Sequence, residues 1–310
     1  MTIDTPPTLE DGQAPPATVS RTGSRSKMRQ FRRNFGAMFG LTVIVVVCLM
    51  ALFAPWVAPY DPTAQVLLNR NRPPFWMDGG TFDHVLGTDQ LGRDLFSRIV
   101  YGARISLFVG IATVLIQTSI GVTVGLIAGY RRGWVDTLFM RIADVWLAIP
   151  FLVLAIAVAV ILGPGVMNTV LVLGLVGWVT YARVVRAEVL TVRERDYVLA
   201  ARSIGTPALR IVRQHIVPNV MASVLVVGTL QISRMIIAEA SLSFLGLGVQ
   251  PPNPAWGSMI SEGRDRLGQQ WWLATMPGLA LMLTTLGINL LGDSMRDILD
   301  PKLGPKEGGA

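Results

Sequence analysis

Along the 310 residues, apolar positions gather into long runs that exclude charge, and polar positions collect between them. The first run lies within Phe35 to Ala58 and the second within Ile105 to Tyr130; neither holds a charged residue. From Val145 to Ala182 come 38 uncharged residues, which as one helix would extend roughly 57 Å, far beyond a bilayer. Gly163-Pro164-Gly165 interrupts that run near its centre, so the pattern predicts two spans joined by a tight turn. A further run from about Val220 to Gly246 is broken only by Arg234 and Glu239, and a last one covers about Ala274 to Leu291. The reading is an all-α polytopic membrane protein with six transmembrane helices and both termini on the same side.

Charge gives the spans a direction. Nineteen of the 27 Lys and Arg residues fall in the parts assigned to the cytoplasm: the first 33 residues, the turn Arg131-Arg132 with Arg141, the segment 183–219 and the C-terminal tail. Seven fall in the two external loops, so the positive-inside rule places both termini in the cytoplasm. Residues 1–30, rich in Thr, Pro, Ser and Gly, read as a disordered tail, and no apolar core near Met1 marks a signal peptide. The net charge of +7 follows topology, so no nucleic-acid partner is expected; the lipid bilayer is. The domain reading is tail 1–30, first span and external segment 31–103, membrane-spanning core 104–293 with its loop at 183–219, and tail 294–310.

Composition also excludes chemistry. The single cysteine, Cys48, allows no internal disulfide, and two histidines, His84 and His215, exclude a His-rich metal site. A P-loop needs Gly-Lys-Ser/Thr to cradle phosphates, yet Lys27, Lys302 and Lys306 follow Ser26, Pro301 and Pro305. No His-Glu-x-x-His or Gly-x-Ser-x-Gly occurs either, so the chain is read as non-catalytic, with no cofactor of its own.

The segment Arg183 to Asn219 is charged, helix-patterned and flanked by apolar runs, with seven basic residues against three acidic ones. Gly205 suits the left-handed position past a helix end, Thr206 an N-cap and Pro207 a first helical turn. The prediction is helix, sharp break, helix. The second helix would present Leu209, Val212 and Ile216 on one face and Arg210 and Arg213 on another, with Pro218 ending it. Two short helices with an apolar stripe suit insertion into a protein partner; a loop that only fixes membrane orientation is the plainer alternative.

Polar residues inside the spans are the other signal, because their burial in lipid is costly. Thr113 and Gln117 stand one turn apart in the second span, Gln231 and Arg234 share a face of the fifth with Glu239 beyond, and Asn289 lies in the sixth. A wetted translocation path would explain them; hydrogen bonding between helices would do so equally. For Arg234 and Glu239 the plainer alternative is pairing with each other or with neighbouring helices; Asp144, with Arg141, is read as anchoring the cytoplasmic end of the third span. Gly121, Gly125 and Gly129 form a small-residue seam that suits a moving interface or a static bundle alike.

Tyr197-Val198-Leu199-Ala200-Ala201-Arg202-Ser203-Ile204-Gly205, with His215-Ile216-Val217-Pro218 after nine further residues, resembles the EAA loop of bacterial ABC importer permeases. It departs at Leu199, where the motif has Glu, and at His215, where it has an apolar residue. A closer resemblance is to the second permease subunit of dipeptide, oligopeptide and nickel importers. It is carried by the external motif His84 to Asp94, Phe96-Ser97-Arg98, Tyr101-Gly102, Glu239 to Gly248, Trp256-Gly257 and Asp297 to Lys302.

The resemblance implies a type I ABC importer permease fold in a bacterial inner membrane and transport by alternating access. Its implied partners are a second homologous permease subunit, one or two P-loop ATPase subunits that bind ATP and Mg, and an extracytoplasmic solute-binding protein. Tyr197, Ala200, Ala201, Arg202, Gly205, Pro207, His215 and Pro218 would couple to the ATPases. Thr113, Gln117, Gln231, Arg234, Glu239 and Asn289 would line the path. Asp89, Arg93, Asp94 and Trp256 would belong to the external face. Peptide is the expected cargo, with nickel or another small solute as the alternative; a stand-alone secondary transporter is a further one.

Overall fold

The computed structural model describes residues 34–299. The reading of residues 1–30 as a disordered tail, the basic cluster at Arg25 to Arg33 and the end of the C-terminal tail fall outside them. Among the described residues the fold is helical throughout and has no strand.

Asn34 opens α1 (Phe35–Leu52) by accepting the Ala37 amide, 3.3 Å, on its side chain. After an irregular segment Asp94 does the same for α2 (Leu95–Arg131), taking the Ser97 amide at 2.8 Å. At 37 residues α2 is roughly 55 Å long and reaches both ends of the bundle. Its start gathers residues 53–94 and α9 (Trp256–Arg264), while its end meets Arg193 and the segment that follows. α2 also carries the glycine seam, and α6 (Trp178–Val192) fits into it. A Cβ at Gly121 would stand 2.4 Å from Tyr181 Cβ, and one at Gly125 2.7 Å from the Ala182 carbonyl. The seam is thus filled within this chain.

Where the sequence predicts a straight third span, two helices meet instead. α3 (Gly133–Ala148) and α4 (Phe151–Leu162) are bent by 89° at Ile149-Pro150. Proline drives the residue before it into an extended conformation, and Ile149 and Pro150 both adopt one. A lack of charge cannot reveal such an elbow. Asp144 does not pair with Arg141 here: it accepts from Arg183 at 2.5 Å, while Asp136 takes Arg186 through both oxygens, so α3 is tied to α6. α5 (Val166–Val176) continues into α6 as the fourth span, after the Gly163-Pro164-Gly165 turn the pattern predicts.

α7 (Asp196–Ser203) is followed by α8, which runs unbroken from Ala208 to Phe244. This corrects the expectation that Pro218 ends a separate short helix. The stretch Val212–Ile216 widens into a π turn just before Pro218, which sits in the first turn of the regular helix beyond. The wider turn accommodates a ring that has no N–H and would crowd a regular helix. Pro207 occupies the N-cap, so α8 begins one residue later than the sequence pattern suggests. α10 (Trp272–Leu299) closes the bundle against α1 and α8 and extends past Leu291, where the sixth apolar run stops. Among the described residues five helices are long and apolar enough to span a membrane, six spans if the bent pair counts as one.

Candidate functional site

The segment after α6 is held by its own backbone. Arg193, nearly buried, donates to the Gly129 and Tyr130 carbonyls at 3.2 and 2.8 Å, covering the C-terminal end of α2. Burial, with Arg132 and Arg202 nearby, lowers its pKa from the usual guanidinium value. α7 then ends on Gly205 at φ +78°, with the Gly205 amide on the Arg202 carbonyl (3.0 Å) and the Thr206 amide on the Ala201 carbonyl (3.1 Å). That pair of bonds is the Schellman closure, which requires a left-handed residue at the position of Gly205. The helix–break–helix expectation stands, and Gly205 makes the break.

Val198, Ile211 and Ile216 anchor this segment in the core beside Val192. Tyr197 lies 5.9 Å from the His215 ring, and Arg202 lies 5.9 Å above the Tyr130 ring, which joins α7 to α8 and to α2. Leu209 departs from the predicted stripe. It is 80 % exposed, as Ile204 is at 83 %, because Ile211 takes the inward position instead. Ala200, Arg202, Pro207 and Pro218 are exposed and Ala201 half-buried, so most of the eight predicted coupling residues are accessible.

The predicted path residues divide into three groups. Gln117, fully buried, donates to the Leu173 carbonyl at 2.9 Å and receives the Gln231 amide at 3.5 Å; Arg234 donates to Gln231 Oε1 at 3.2 Å. Thr113 lies buried one turn from Gln117, with no hydrogen-bond partner among the described residues. Glu239 does not meet Arg234: five residues along, it is buried against Ser106 (3.1 Å) and Ser243 (2.7 Å). Asn289 accepts from Ser233 at 2.5 Å, joining α10 to α8. Only the Gln117–Gln231–Arg234 row ends on an exposed charge.

At the opposite end, Asp89 holds two buried arginines. Arg93 Nε donates to it at 2.6 Å and Arg98 also pairs with it. Both arginines reach Glu262 of α9, at 3.0 and 2.9 Å. Asp94 pairs with His84 Nδ1 at 2.9 Å besides capping α2. Trp256 lies buried over Gly102 and donates to the Ile99 carbonyl at 3.0 Å. The four residues expected on the external face are therefore inward-turned braces. Of them Asp89 and Arg93 line a cleft of about 610 Å³, together with Gln65, Pro251 and Asp265. Sequence reasoning named Arg98 only as part of Phe96-Ser97-Arg98 and gave no role to it, to Glu262 or to Ser106.

Residues 121–305 match the family described as "binding-protein-dependent transport system inner membrane component", and residues 25–74 match the "N-terminal TM domain of oligopeptide transport permease C". The chain is 45 % identical to the di/tripeptide transport system permease protein DppC of Pseudomonas aeruginosa (strain UCBPP-PA14), over 93 % of this chain and 95 % of that one. It is equally identical to the dipeptide permease DppC of Escherichia coli (strain K12), over 93 % and 96 %. Identity to the oligopeptide permease OppC of Bacillus subtilis (strain 168) is 43 %, over 90 % of each. Among solved structures, the MetNI methionine ABC transporter matches with a TM-score of 0.52 at 17 % identity, covering 65 % of this chain and 96 % of that one. An amino acid ABC transporter matches at 0.51 and 16 %, over 64 % and 92 %.

Proposed function

Because the chain belongs to the family of binding-protein-dependent transport system inner membrane components, we propose that it is half of the translocation path of an ATP-driven importer of di- or oligopeptides. A second, homologous permease subunit supplies the other half. A binding protein delivers cargo at the end that carries α9, and one or two P-loop ATPases, holding ATP and Mg, engage the 183–219 loop at the other. This chain contributes shape, contact and motion but no bond chemistry.

The observation that carries the reading is the build of that loop. Ile204 and Leu209 project from it, exposed, on either side of a break fixed by two backbone hydrogen bonds. Behind Leu209 the helix does not stop: α8, 37 residues and roughly 55 Å long in all, runs on into the spanning bundle. A push on the loop therefore acts on the end of a stiff rod, and closure of the ATPases becomes rigid-body movement of the spans. The charge asymmetry of the sequence supports a cytoplasmic position for the loop.

The test is purification of the tagged chain in mild detergent, with the recovered complex placed in vesicles and supplied with binding protein, ATP and labelled dipeptide. A homologous permease and P-loop ATPases should copurify, and peptide should accumulate inside only with ATP. Uptake of a nickel chelate without peptide would reassign the cargo. Isolation of this chain alone in several detergents would remove the importer reading.

A further inference from the structure

Arg234 sits deep in the apolar part of α8, yet it is exposed. Among the described residues it has no acidic partner. Glu239, the nearest carboxylate along the helix, is buried and occupied by Ser106 and Ser243. A guanidinium left uncompensated at membrane depth is costly and marks a path or a partner. Its one hydrogen bond, to Gln231 Oε1, leaves most of its five N–H donors free. Gln231 is itself fixed: it is buried and its amide is turned toward Gln117, which is tied in turn to the Leu173 carbonyl. The relay fixes the acceptor that holds the guanidinium, while the Arg234 side chain remains exposed.

The same helix face continues as Ile237, Ser241 and Leu245, at spacings that stack side chains one above another. With Phe244, Ile260 and Leu281 these residues line an apolar groove of about 320 Å³, and Ile237 and Leu245 are about half exposed. A planar cation beside an apolar groove is complementary to a carboxylate attached to an apolar side chain. A peptide with a free C-terminus carries that pair of groups. We infer that Arg234 binds the terminal carboxylate of the peptide in transit, with the adjoining side chain seated in the Ile237–Leu245 groove. The inference rests on the peptide-importer reading and assigns that site its ligand.

The test uses the complete importer in vesicles, with a photoreactive phenylalanine analogue at position 237 and a labelled dipeptide as cargo. Uptake, crosslinking during turnover and copurification of the partner subunits are read for the parent, Arg234→Gln and Arg234→Lys. The expected result is crosslinking in the parent and its loss in Arg234→Gln, where uptake falls about tenfold or more, the scale of a lost charged hydrogen bond. Arg234→Lys lies between, and copurification is the same in all three. Three outcomes overturn the inference: no crosslink in a parent that imports peptide, uptake in Arg234→Gln within twofold of the parent, or uptake lost together with copurification. The last would make Arg234 the counter-ion of an acidic residue on a neighbouring subunit. If the unmodified importer moves no peptide, the cargo reading itself falls, and that is seen before any variant is made.

Discussion

The two ends of this bundle handle charge in opposite ways. At the end carrying α9, Asp89, Arg93, Arg98 and Glu262 pair with one another, and all but Glu262 are buried. At the other end Arg202, Arg210 and Arg213 are exposed, and the apolar side chains of Ile204 and Leu209 stand out among them. At the first end the clustered charges find their partners within the chain. The second leaves apolar surface uncovered beside cations, the composition of a surface that another protein is to cover. One end is therefore a brace and the other a handle, and substitutions should sort accordingly.

The largest effect is expected at the brace. Arg98→Ala leaves Asp89 and Glu262 to share Arg93 alone, and losing one member of a buried ionic group typically costs about 3–5 kcal/mol. Thermal unfolding of the detergent-purified complex should show it as a large fall in midpoint; a shift of a degree or less would mean that the cluster braces nothing. Next is the seam: Gly121→Val drives a side chain into Tyr181 and the Trp178 carbonyl, and overpacking of this kind costs about 1–3 kcal/mol. Its abundance in the membrane should drop, whereas normal abundance would place the α2–α6 contact among loose ones.

At the handle stability should hardly respond. Gly205→Ile meets no atom within 4 Å, so its cost is purely the left-handed backbone, about 1–2 kcal/mol. Uptake should fall at unchanged abundance, and Gly205→Asn, which tolerates positive φ, should recover part of it. Unimpaired uptake by the Ile variant would remove the rigid break from the mechanism. Smallest in stability is the pair Ile204→Ser and Leu209→Ser, each expected within about 0.5 kcal/mol because both side chains are already in solvent. Their effect should appear as lost copurification of ATPase subunits. Retained copurification together with a lowered unfolding midpoint would invert the assignment of brace and handle.

What could be read from the sequence depended on how far each signal reaches along the chain. Charge-free runs locate five of the spans, and Gly205-Thr206-Pro207 locates the break, because both are local patterns. Ile149-Pro150 carried an equally local signal but stood inside an uncharged stretch that hydropathy alone treats as one piece. Pro218 misled in the other direction, since a π turn lets helix pass through a residue that normally ends it. The brace was illegible for a different reason. Arg98 and Glu262 lie 164 residues apart, and nothing in either neighbourhood names the other. Leu209 was put on the wrong face because the π turn at Val212–Ile216 shifts the helical phase that a regular repeat assumes.

The elbow at Ile149-Pro150 sets a dimension. The 12 residues of α4 rise only about 18 Å, against a hydrocarbon layer of about 30 Å. α3 leaves at 89° with Trp134, Leu138, Ile142 and Val145 exposed along one stripe, the form of a helix that lies in a bilayer surface rather than across it. On this flank the protein offers the membrane a shorter apolar wall than α2 or α8 does. Lipid must thin there or tilt to meet it, at a cost that grows with every ångström of mismatch. Acyl-chain length thus becomes a variable acting on one side of the molecule alone.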